Sequence, residues 1–385
     1  MGTIFSFQTS QKIITGRGSL KLIIDELNFF HSKSILIITD PGIIKSGVIK
    51  PLLKILEQEN FKYEIFDKVE ADPNYKLVYE AVDMCEKIKA DLIIGIGGGS
   101  SMDIAKVTSI LATNRGDIKD YFGINLIPKP GIKKILIPTT AGTGSEVTPI
   151  AILSDEEEKL KKGIVSQYLY PEVAILDAEL TIGLPPKITA ATGMDALIHA
   201  IEAYTSINAN ELSDMFAIKA IEYIYPNIRT AFSNGSNIEA REKMLTGSMF
   251  AGIAFANAGV TAVHAFAYPI GAEFHIPHGI ANTIMFPYVM EFNFIGNLDR
   301  FAYLANLFGE KIENMSNRDA ALKFVESIKN LAYDLNVPQK LSNFKVSDKD
   351  IPELAKGVMK VTRLLKNNPR IITYEDAVEI YKKAL

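Results

Sequence analysis

Short apolar runs alternate with amphipathic stretches along the first half of the chain. The apolar runs have the length of β-strands and lie at residues 34–40, 62–69, 90–100, 133–146 and 171–177. Several of them are separated by stretches in which apolar residues recur with helical spacing, such as residues 47–60 and 75–90. Apolar strands that alternate with helices are typical of a mostly parallel sheet covered on both faces. The pattern therefore predicts an α/β domain.

The pattern changes after Gly183, where the sequence LPP interrupts it. Strand-like runs almost vanish beyond this point, and from Ile188 onward one helical pattern follows another. We therefore predict two domains, an α/β domain at residues 1–183 and an all-α domain at residues 184–385.

Composition and charge narrow the class of protein. The 385 residues are 48% hydrophobic and carry a formal net charge of −4, with scattered basic residues. A large core is expected, and neither nucleic acid nor an acidic membrane surface is an expected partner. The acidic run at residues 155–158 is interpreted as a solvated loop.

The expected location is the cytoplasm. No stretch approaches the roughly 18 apolar residues of a membrane span, and the N-terminus lacks the basic region and long apolar core of a signal peptide. The one cysteine, Cys85, lies on the apolar face of a predicted helix. We interpret it as a packed side chain in a protein from a reducing compartment.

A first glycine-rich turn, GIGGGSSMDIAK at residues 95–106, follows a strand and leads into a helix. Glycines let the backbone approach a phosphate, and the N–H groups of the first helical turn point at it. The turn has the spacing G-x-G-x-x-S at Gly95, Gly97 and Ser100, and Asp103 in the helix that follows is a further candidate cofactor contact. The spacing departs from the full dinucleotide fingerprint and lacks the acidic residue about 20 positions downstream. A plain tight turn between strand and helix is therefore the alternative.

A second turn, PTTAGTGSEVTP at residues 138–149, combines glycines with the hydroxyls of Thr139, Thr140, Thr143 and Ser145. Hydroxyls and free amides suit a pyrophosphate or a ribose. Two such turns in one parallel sheet predict a dinucleotide site more strongly than either turn does alone.

Asp40 ends the first of the parallel strands. A carboxylate at that position can accept hydrogen bonds from the ribose 2′-hydroxyl of NAD and repel the 2′-phosphate of NADP. A turn-forming aspartate before a Pro-Gly pair is the alternative interpretation.

A group of histidines and one aspartate indicates a metal site. Three of the five histidines lie within fifteen residues, at His264, His275 and His278, and His199 follows Asp195 by four positions in a helical stretch. Residues four apart share a helix face, so Asp195 and His199 can bind one ion. Apolar residues surround this pair, and a buried aspartate and histidine need a partner such as a cation. The mixed oxygen and nitrogen set suits Fe²⁺ or Zn²⁺. A surface pair, or a buried histidine bonded to the carboxylate, is the alternative.

Four motifs in a fixed order resemble those of the iron-containing (group III) alcohol dehydrogenase family: GGGSSMDIAK, PTTAGTGSEVTP, TGMDALIHAIEAYTS and VHAFAYPIGAEFHIPHGIANTIMFPYVM. The resemblance spans nearly the whole chain. It implies an N-terminal dinucleotide domain, a C-terminal helical domain and an active site in the cleft between them. The metal ligands that it implies are Asp195, His199, His264 and His278. The cofactor contacts that it implies are Asp40, Asn74, Gly98, Gly99, Ser100, Thr139, Thr140 and Lys162.

One position departs from the family. Many members carry a second histidine four residues after the third ligand, and this sequence has Tyr268 there. The resemblance implies a place beside the nicotinamide for this residue. The position therefore lacks the histidine of a simple proton relay, and Tyr268 is predicted mainly to shape the pocket. His275 is interpreted as a structural residue or a neighbour of the ligands, and His31 as a surface residue.

The sequence thus predicts an oxidoreductase that moves a hydride between NAD(H) and a small primary alcohol or aldehyde, with the metal acting as a Lewis acid. Four protein ligands leave an open position only if coordination expands beyond four, which suits Fe²⁺ better than tetrahedral Zn²⁺. The alternatives are a lyase of the dehydroquinate synthase type, a glycerol or diol dehydrogenase, and a binding protein without activity.

The first sixteen residues, MGTIFSFQTSQKIITG, are interpreted as a strand, a turn and a second strand. The first of these strands would lie outside the parallel sheet and present an unpaired edge. We therefore expect it to pair across a subunit interface in a homodimer or a larger homo-oligomer.

Overall fold

The structure is a computed structural model that describes residues 4–114, 116–157 and 160–385. The chain forms two compact units. The first, called the sheet unit, consists of Gln8–Leu184 and Gly235–Met249, and the second, called the helical unit, consists of Met1–Phe7, Pro185–Asn234 and Phe250–Leu385. A single division at residue 183 would assign Met1–Phe7 to the sheet unit and Gly235–Met249 to the helical unit. In the structure each of these two segments belongs to the other unit. The assignment of residues 1–183 and 184–385 to two domains stays a prediction.

The described residues contain nine strands. They are β1 (Lys12–Thr15), β2 (Ser34–Ile38), β3 (Lys62–Phe66), β4 (Leu92–Gly97), β5 (Gly123–Ile124), β6 (Lys133–Pro138), β7 (Ile150–Asp155), β8 (Leu160–Val165) and β9 (Val173–Leu176). Six of them form one sheet in the order β1-β9-β6-β4-β2-β3, and each neighbouring pair is parallel. The mostly parallel sheet predicted from the apolar runs is confirmed.

Helices cover both faces of this sheet. They are α1 (Ile23–Phe30), α2 (Pro41–Ser46), α3 (Lys50–Gln58), α4 (Leu77–Ile88) and α5 (Gly99–Leu111). Successive strand residues point to opposite faces, so one core contains Leu36 and Ile38 and the other contains Ile35 and Ile37. Cys85 packs in the first of these cores, where burial raises the pKa of its thiol to about 11. It is therefore the packed side chain that the sequence predicted.

A second, smaller sheet was not predicted. Its order is β5-β8-β7, with β7 and β8 antiparallel. The acidic run that we interpreted as a solvated loop begins at the end of β7, so that interpretation is wrong at Asp155. This carboxylate is buried and forms an ion pair of 2.9 Å with Lys162 across the hairpin. The charges at Asp155 and Lys162 made this stretch look like a solvated loop, and they pair with each other only in the folded hairpin.

The remaining helices follow β9. They are α6 (Pro186–Thr205), α7 (Glu211–Ser233), α8 (Ile238–Ala258), α9 (Ala262–Phe274), α10 (His278–Asn293), α11 (Leu298–Leu307), α12 (Asn317–Asp334), α13 (Ile351–Lys360), α14 (Thr362–Leu365) and α15 (Tyr374–Ala384). Side chains cap several of their first turns: Asn210 accepts hydrogen bonds from two backbone N–H groups of α7, and Thr373 accepts one from α15. The predicted helical region is confirmed.

The start of the chain differs from the prediction. Residues 4–10 form no strand, and Phe7 instead stacks on Phe216 of α7 with ring centroids 5.5 Å apart. The second predicted strand is β1 of the large sheet. Among the described residues, no single helix combines the length and apolar composition of a membrane span; α8 and α9 pass that test only together, across a bend of 104°.

Candidate metal and dinucleotide sites

A buried group of metal-ligating side chains lies in the helical unit. Asp195 and His199 occupy one face of α6, and His264 lies on α9. One ligand atom from each of the three lies within 4.8 Å of the others, and the three residues are 2–6% exposed. The predicted convergence of residues that lie 65 positions apart in the sequence is therefore present.

His278 reaches the same group from the first position of α10. Its Nε2 atom lies 3.8 Å from Oδ1 of Asp195, as does Nε2 of His264. The next residue, Gly279, lets the start of α10 pack directly on α6, because a Cβ atom there would lie 2.2 Å from the carbonyl oxygen of Ala191. A side chain at position 279 would therefore push His278 away from Asp195.

The charge of Asp195 depends on its neighbours. Burial alone would raise the pKa of this carboxyl group, but His199, His278 and His264 around it lower the pKa below its ordinary value. Asn282 contributes further, because its Nδ2 atom donates a hydrogen bond of 2.8 Å to Oδ1 of Asp195. The carboxylate is thus maintained as an anion inside an apolar helix bundle.

Two residues of this group were missed in the sequence. Asn282 lies one helical turn after His278, and its Nδ2 atom is 3.1 Å and 3.2 Å from the Nε2 atoms of His264 and His278. Glu202 lies on the face of α6 that carries Asp195, seven positions further on, and contacts Nδ1 of His264. Both follow predicted ligands at helical spacing, and that spacing could have identified them.

The donor set fits a divalent metal ion. One carboxylate oxygen and several imidazole nitrogens converge in a buried volume, and such mixed ligands suit iron, zinc and related ions. The side-chain carbonyl oxygen of Asn282 is also buried there and has no hydrogen-bond partner among the described residues. Polar atoms in such a position need a partner, which an ion or a molecule bound to it supplies.

The other histidines and Tyr268 occupy different positions. Tyr268 lies one turn after His264 on α9, and its ring centroid is 5.9 Å from that of His278. His275 is exposed and ends α9 in the left-handed conformation, so it is a helix-terminating residue rather than part of the buried group. His31 is likewise exposed at the end of α1, as predicted.

The two glycine turns of the sheet unit lie against each other. A Cβ atom on Gly99 would lie 2.6 Å from Cγ2 of Thr143, and one on Gly98 would lie 3.7 Å from the hydroxyl of Thr140. Gly97 has a φ of 149°, a conformation that glycine adopts without steric cost. The structure thus brings together the two turns that we interpreted from the sequence as one dinucleotide site. Ser100 lies in the first turn of α5.

Asp40 lies beside the first turn and also caps a helix. Its Oδ1 atom accepts a hydrogen bond of 3.0 Å from the backbone N–H of Ile43 at the start of α2, and its Oδ2 atom accepts one of 3.3 Å from Ser101. A Cβ atom on Gly97 would lie 3.1 Å from Oδ2. The two interpretations of Asp40 are therefore compatible, since the capping aspartate lies next to the glycines.

Three further predicted contacts belong to the sheet unit. The hydroxyl of Thr139, at the end of β6, is buried without a hydrogen-bond partner among the described residues. Asn74 bridges to Ser154 of β7, and its side chain accepts a hydrogen bond from the backbone N–H of Lys76. Lys162, on β8, forms the ion pair with Asp155 and lies over the ring of Phe122.

Asp103 and Ser145 form an internal buried network. The Ser145 hydroxyl donates to Asp103 at 2.6 Å and accepts from Lys106 at 2.7 Å, and Asp103 also accepts from the backbone N–H of Ile152. These bonds join α5 to the second glycine turn. The direct contact of both residues with a cofactor stays a prediction, because their described polar contacts fix the turn itself.

The fold and the two sites indicate the class of protein. The features of a metal-dependent dehydrogenase are a parallel α/β unit with paired glycine turns and a helical unit with a buried aspartate–histidine group. Comparison with known proteins defines the family. The model of the iron-containing alcohol dehydrogenase family matches residues 10–178, and the model of the C-terminal part of the Fe-containing alcohol dehydrogenase family matches residues 189–385.

Individual proteins resemble the chain over most of its length. A sulfoacetaldehyde reductase from Bilophila wadsworthia is 39% identical over 368 residues, with 95% of each chain covered. Long-chain-alcohol dehydrogenase 1 from Geobacillus thermodenitrificans is 40% identical over 372 residues, covering 96% of this chain and 94% of that protein. A solved 1,3-propanediol oxidoreductase structure has a TM-score of 0.97 and 37% identity, with both chains fully covered.

The chain belongs to the iron-containing alcohol dehydrogenase family. It is an oxidoreductase, and membership of the family confirms the prediction of an NAD-linked, metal-dependent alcohol dehydrogenase.

Glu146, in the second glycine turn, generates a prediction about pH. Its side chain is 1% exposed, its Oε1 atom has no partner among the described residues, and burial raises its pKa from 4.5 to about 7. A raised carboxyl pKa means that the folded state binds the proton more tightly than the unfolded state. Stability is therefore lost as the pH rises between these two pKa values.

We expect Glu146→Gln, which cannot ionise, to stabilise the protein more at pH 8.5 than at pH 5.5. The difference should be on the order of 1–2 kcal/mol, because one pKa unit corresponds to about 1.4 kcal/mol. Thermal unfolding of both proteins at the two pH values measures it. An equal effect of the substitution at both values would contradict the burial of an ionised Glu146.

Proposed function

We propose that this enzyme transfers a hydride between NAD(H) and the reacting carbon of a small primary alcohol or aldehyde, at a metal bound by Asp195, His199, His264 and His278. The observation that carries the proposal is the convergence of Asp195 and the histidines in the apolar interior of the helical unit. A purely structural group would not require one carboxylate to be surrounded by three imidazoles. Fe²⁺ is the expected ion, with Zn²⁺ as the alternative.

When bound, the metal supplies a Lewis acid for the substrate oxygen, and NAD⁺ supplies the hydride acceptor. The protein supplies the positions. Asp195 provides the negative charge that offsets the cation, and the histidines provide neutral nitrogen ligands. Tyr268 lies against His278, where its ring limits the space beside that ligand.

The dinucleotide is proposed to lie on the paired glycine turns. Gly98, Gly99 and Ser100 present backbone N–H groups at the start of α5, which suits a pyrophosphate. Thr139, Thr140 and Thr143 add hydroxyls, and Asp103 and Ser145 fix the turn that carries them. Asp40 is proposed to bind the adenosine ribose, and Asn74 and Lys162 are proposed as further cofactor contacts.

The chemistry of the relatives supports the substrate class. Their names refer to sulfoacetaldehyde, long-chain alcohols and 1,3-propanediol, which share a primary alcohol or aldehyde carbon. A diol dehydrogenase therefore remains the second candidate, favoured by the structural likeness to the propanediol enzyme. The residues next to His264 on α9, Ala265 and Phe266, are buried and apolar. They offer no charge for the phosphorylated and carboxylated substrate of a dehydroquinate synthase.

Assembly and location complete the proposal. We infer a homodimer or larger homo-oligomer, because Ile4 and Phe5 are 99% and 44% exposed at the start of the described chain. Large apolar side chains in such a position favour burial against another subunit. The lone buried cysteine favours the cytoplasm, and no nucleic acid or membrane is a proposed partner.

Replacing His264 or His278 by alanine should remove the metal and abolish turnover, because each replacement deletes one ligand and metal binding is coupled to the folding of the site. Elemental analysis and aldehyde-dependent NADH oxidation at 340 nm measure the two effects. His275→Asn is the matched control, because the exposed His275 lies three residues from His278, and asparagine tolerates its left-handed conformation. Full metal occupancy in both alanine variants would refute the ligand assignment.

The wild-type enzyme should strongly prefer NAD(H) to NADP(H), and Asp40→Ser should lower that preference at least about tenfold, because the charge that repels a 2′-phosphate is lost. Serine is chosen because it also caps helices, so α2 should keep its N-terminal hydrogen bond. The ratio of kcat/KM for the two cofactors measures the effect. Equal use of both cofactors by the wild-type enzyme would show that Asp40 is only a capping residue.

Tyr268→Phe should cost less than about tenfold in kcat/KM, whereas loss of an acid–base group typically costs about 10²–10⁴-fold. The substitution removes only a hydroxyl group, which is a poor general base near neutral pH. The phenylalanine ring should preserve the packing against His278. The kinetics must be measured at verified metal content. A loss of about a hundredfold or more with the metal retained would assign a proton-transfer role to the hydroxyl.

A further inference from the structure

Glu202 is a fully buried carboxylate within the helical unit, on α6. Its Oε1 atom accepts three hydrogen bonds, from the backbone N–H and the hydroxyl of Thr261 at 3.0 Å and 2.6 Å and from the backbone N–H of Val263 at 2.8 Å. Its Oε2 atom contacts Nδ1 of His264. Every described polar contact of this side chain is therefore with a group that can donate a proton.

These donors explain how the charge is accommodated. Thr261 and Val263 lie at the N-terminus of α9, where backbone N–H groups lack helical partners and the helix dipole favours an anion. The remaining N–H group between them, that of Ala262, donates to the side chain of Asn368 at 3.3 Å. An anionic Glu202 thus satisfies two of the N–H groups at the start of α9.

The same arrangement selects the tautomer of a neutral His264. A carboxylate oxygen can only accept, so the proton of a neutral His264 must lie on Nδ1. The lone pair is then on Nε2, the atom that lies 3.8 Å from Oδ1 of Asp195 and 3.1 Å from the amide nitrogen of Asn282. A neutral imidazole binds a metal through such a lone pair.

We propose that Glu202 is a positioning residue that fixes the tautomer and the ring plane of His264, so that Nε2 is presented to the metal. The inference rests on the proposed function, in which His264 is a ligand. The Oε1 atom of Glu202 anchors the start of α9, the helix that carries His264, while Oε2 contacts the ring. One side chain therefore fixes both the helix and the ring. Glu202 touches neither the substrate nor the cofactor in this proposal.

Glutamine cannot take over both tasks. If its carbonyl oxygen faces the N–H groups of α9, its NH₂ group faces Nδ1, and His264 must move its proton to Nε2. If the amide is reversed, the NH₂ group faces three donors. Glu202→Gln therefore preserves the size of the side chain while opposing the tautomer that binds a metal.

The test compares Glu202→Gln with Thr261→Val. The second variant removes one donor to Oε1 at the same helix end but leaves the contact with His264 in place. Zn²⁺ affinity is measured by competition with a chromophoric chelator, and the melting temperature of the metal-free proteins is measured in parallel. We expect Glu202→Gln to weaken Zn²⁺ binding about 10–100-fold and Thr261→Val to change it less than about threefold.

A purely structural role for Glu202 would give a different outcome. Both variants would then lower the melting temperature, and any loss of Zn²⁺ affinity would follow that loss of stability in the same proportion. Unchanged Zn²⁺ affinity in Glu202→Gln would also overturn the proposal. If His264→Ala loses zinc while Glu202→Gln retains it, the ligand assignment stands and only the role of Glu202 is wrong.

A second measurement does not depend on the folding of any variant at position 202. In the Zn²⁺-loaded wild-type enzyme labelled with ¹⁵N-histidine, long-range ¹H–¹⁵N spectra should show His264 with its proton on Nδ1, assigned by comparison with His264→Gln. The same proton should exchange slowly with water, because its acceptor is buried. A proton on Nε2 of His264 would overturn the proposal.

Discussion

The burial of negative charge among apolar helices is the constraint on which the helical unit depends. An isolated carboxylate in such an interior costs several kcal/mol, and the cost falls only when donors or cations surround it. Asp195 meets this requirement with histidines and an amide, and Glu202 meets it with the first turn of α9. Because each carboxylate needs partners from other helices, satisfying the charges also places α6, α9 and α10 around one point.

The sheet unit solves a related problem with backbone rather than side chains. Its glycine turns leave N–H groups and hydroxyls at the ends of β4 and β6, and the polar side chains behind them are used to fix the turns. The hydroxyl of Ser145 donates to Asp103 and accepts from Lys106, and these bonds fix the second turn. The backbone N–H groups and threonine hydroxyls of the turns are therefore not needed to stabilise it. Rigid support beneath a set of open donors is the arrangement that a phosphate site requires.

Much of this could be predicted from the sequence because its signals are local. The strands β2, β4 and β6 are apolar runs that end in glycine or polar residues, and Asp195 and His199 share a helix face by spacing alone. The hairpin of β7 and β8 was missed because its buried Asp155 pairs with Lys162, and that pairing appears only after folding. Glu202 was missed for the same reason: an acidic residue in a helix looks solvated until donors 59 positions away are brought to it.

Gly279 affects how this sequence can diverge. The carbonyl of Ala191 occupies the space that any side chain at position 279 would need, so a replacement there displaces the start of α10 and with it a proposed ligand. The residue has no proposed chemical role of its own, yet its replacement would disturb the histidine before it. We therefore expect the pair His278-Gly279 to be retained as one unit when the sequence diverges.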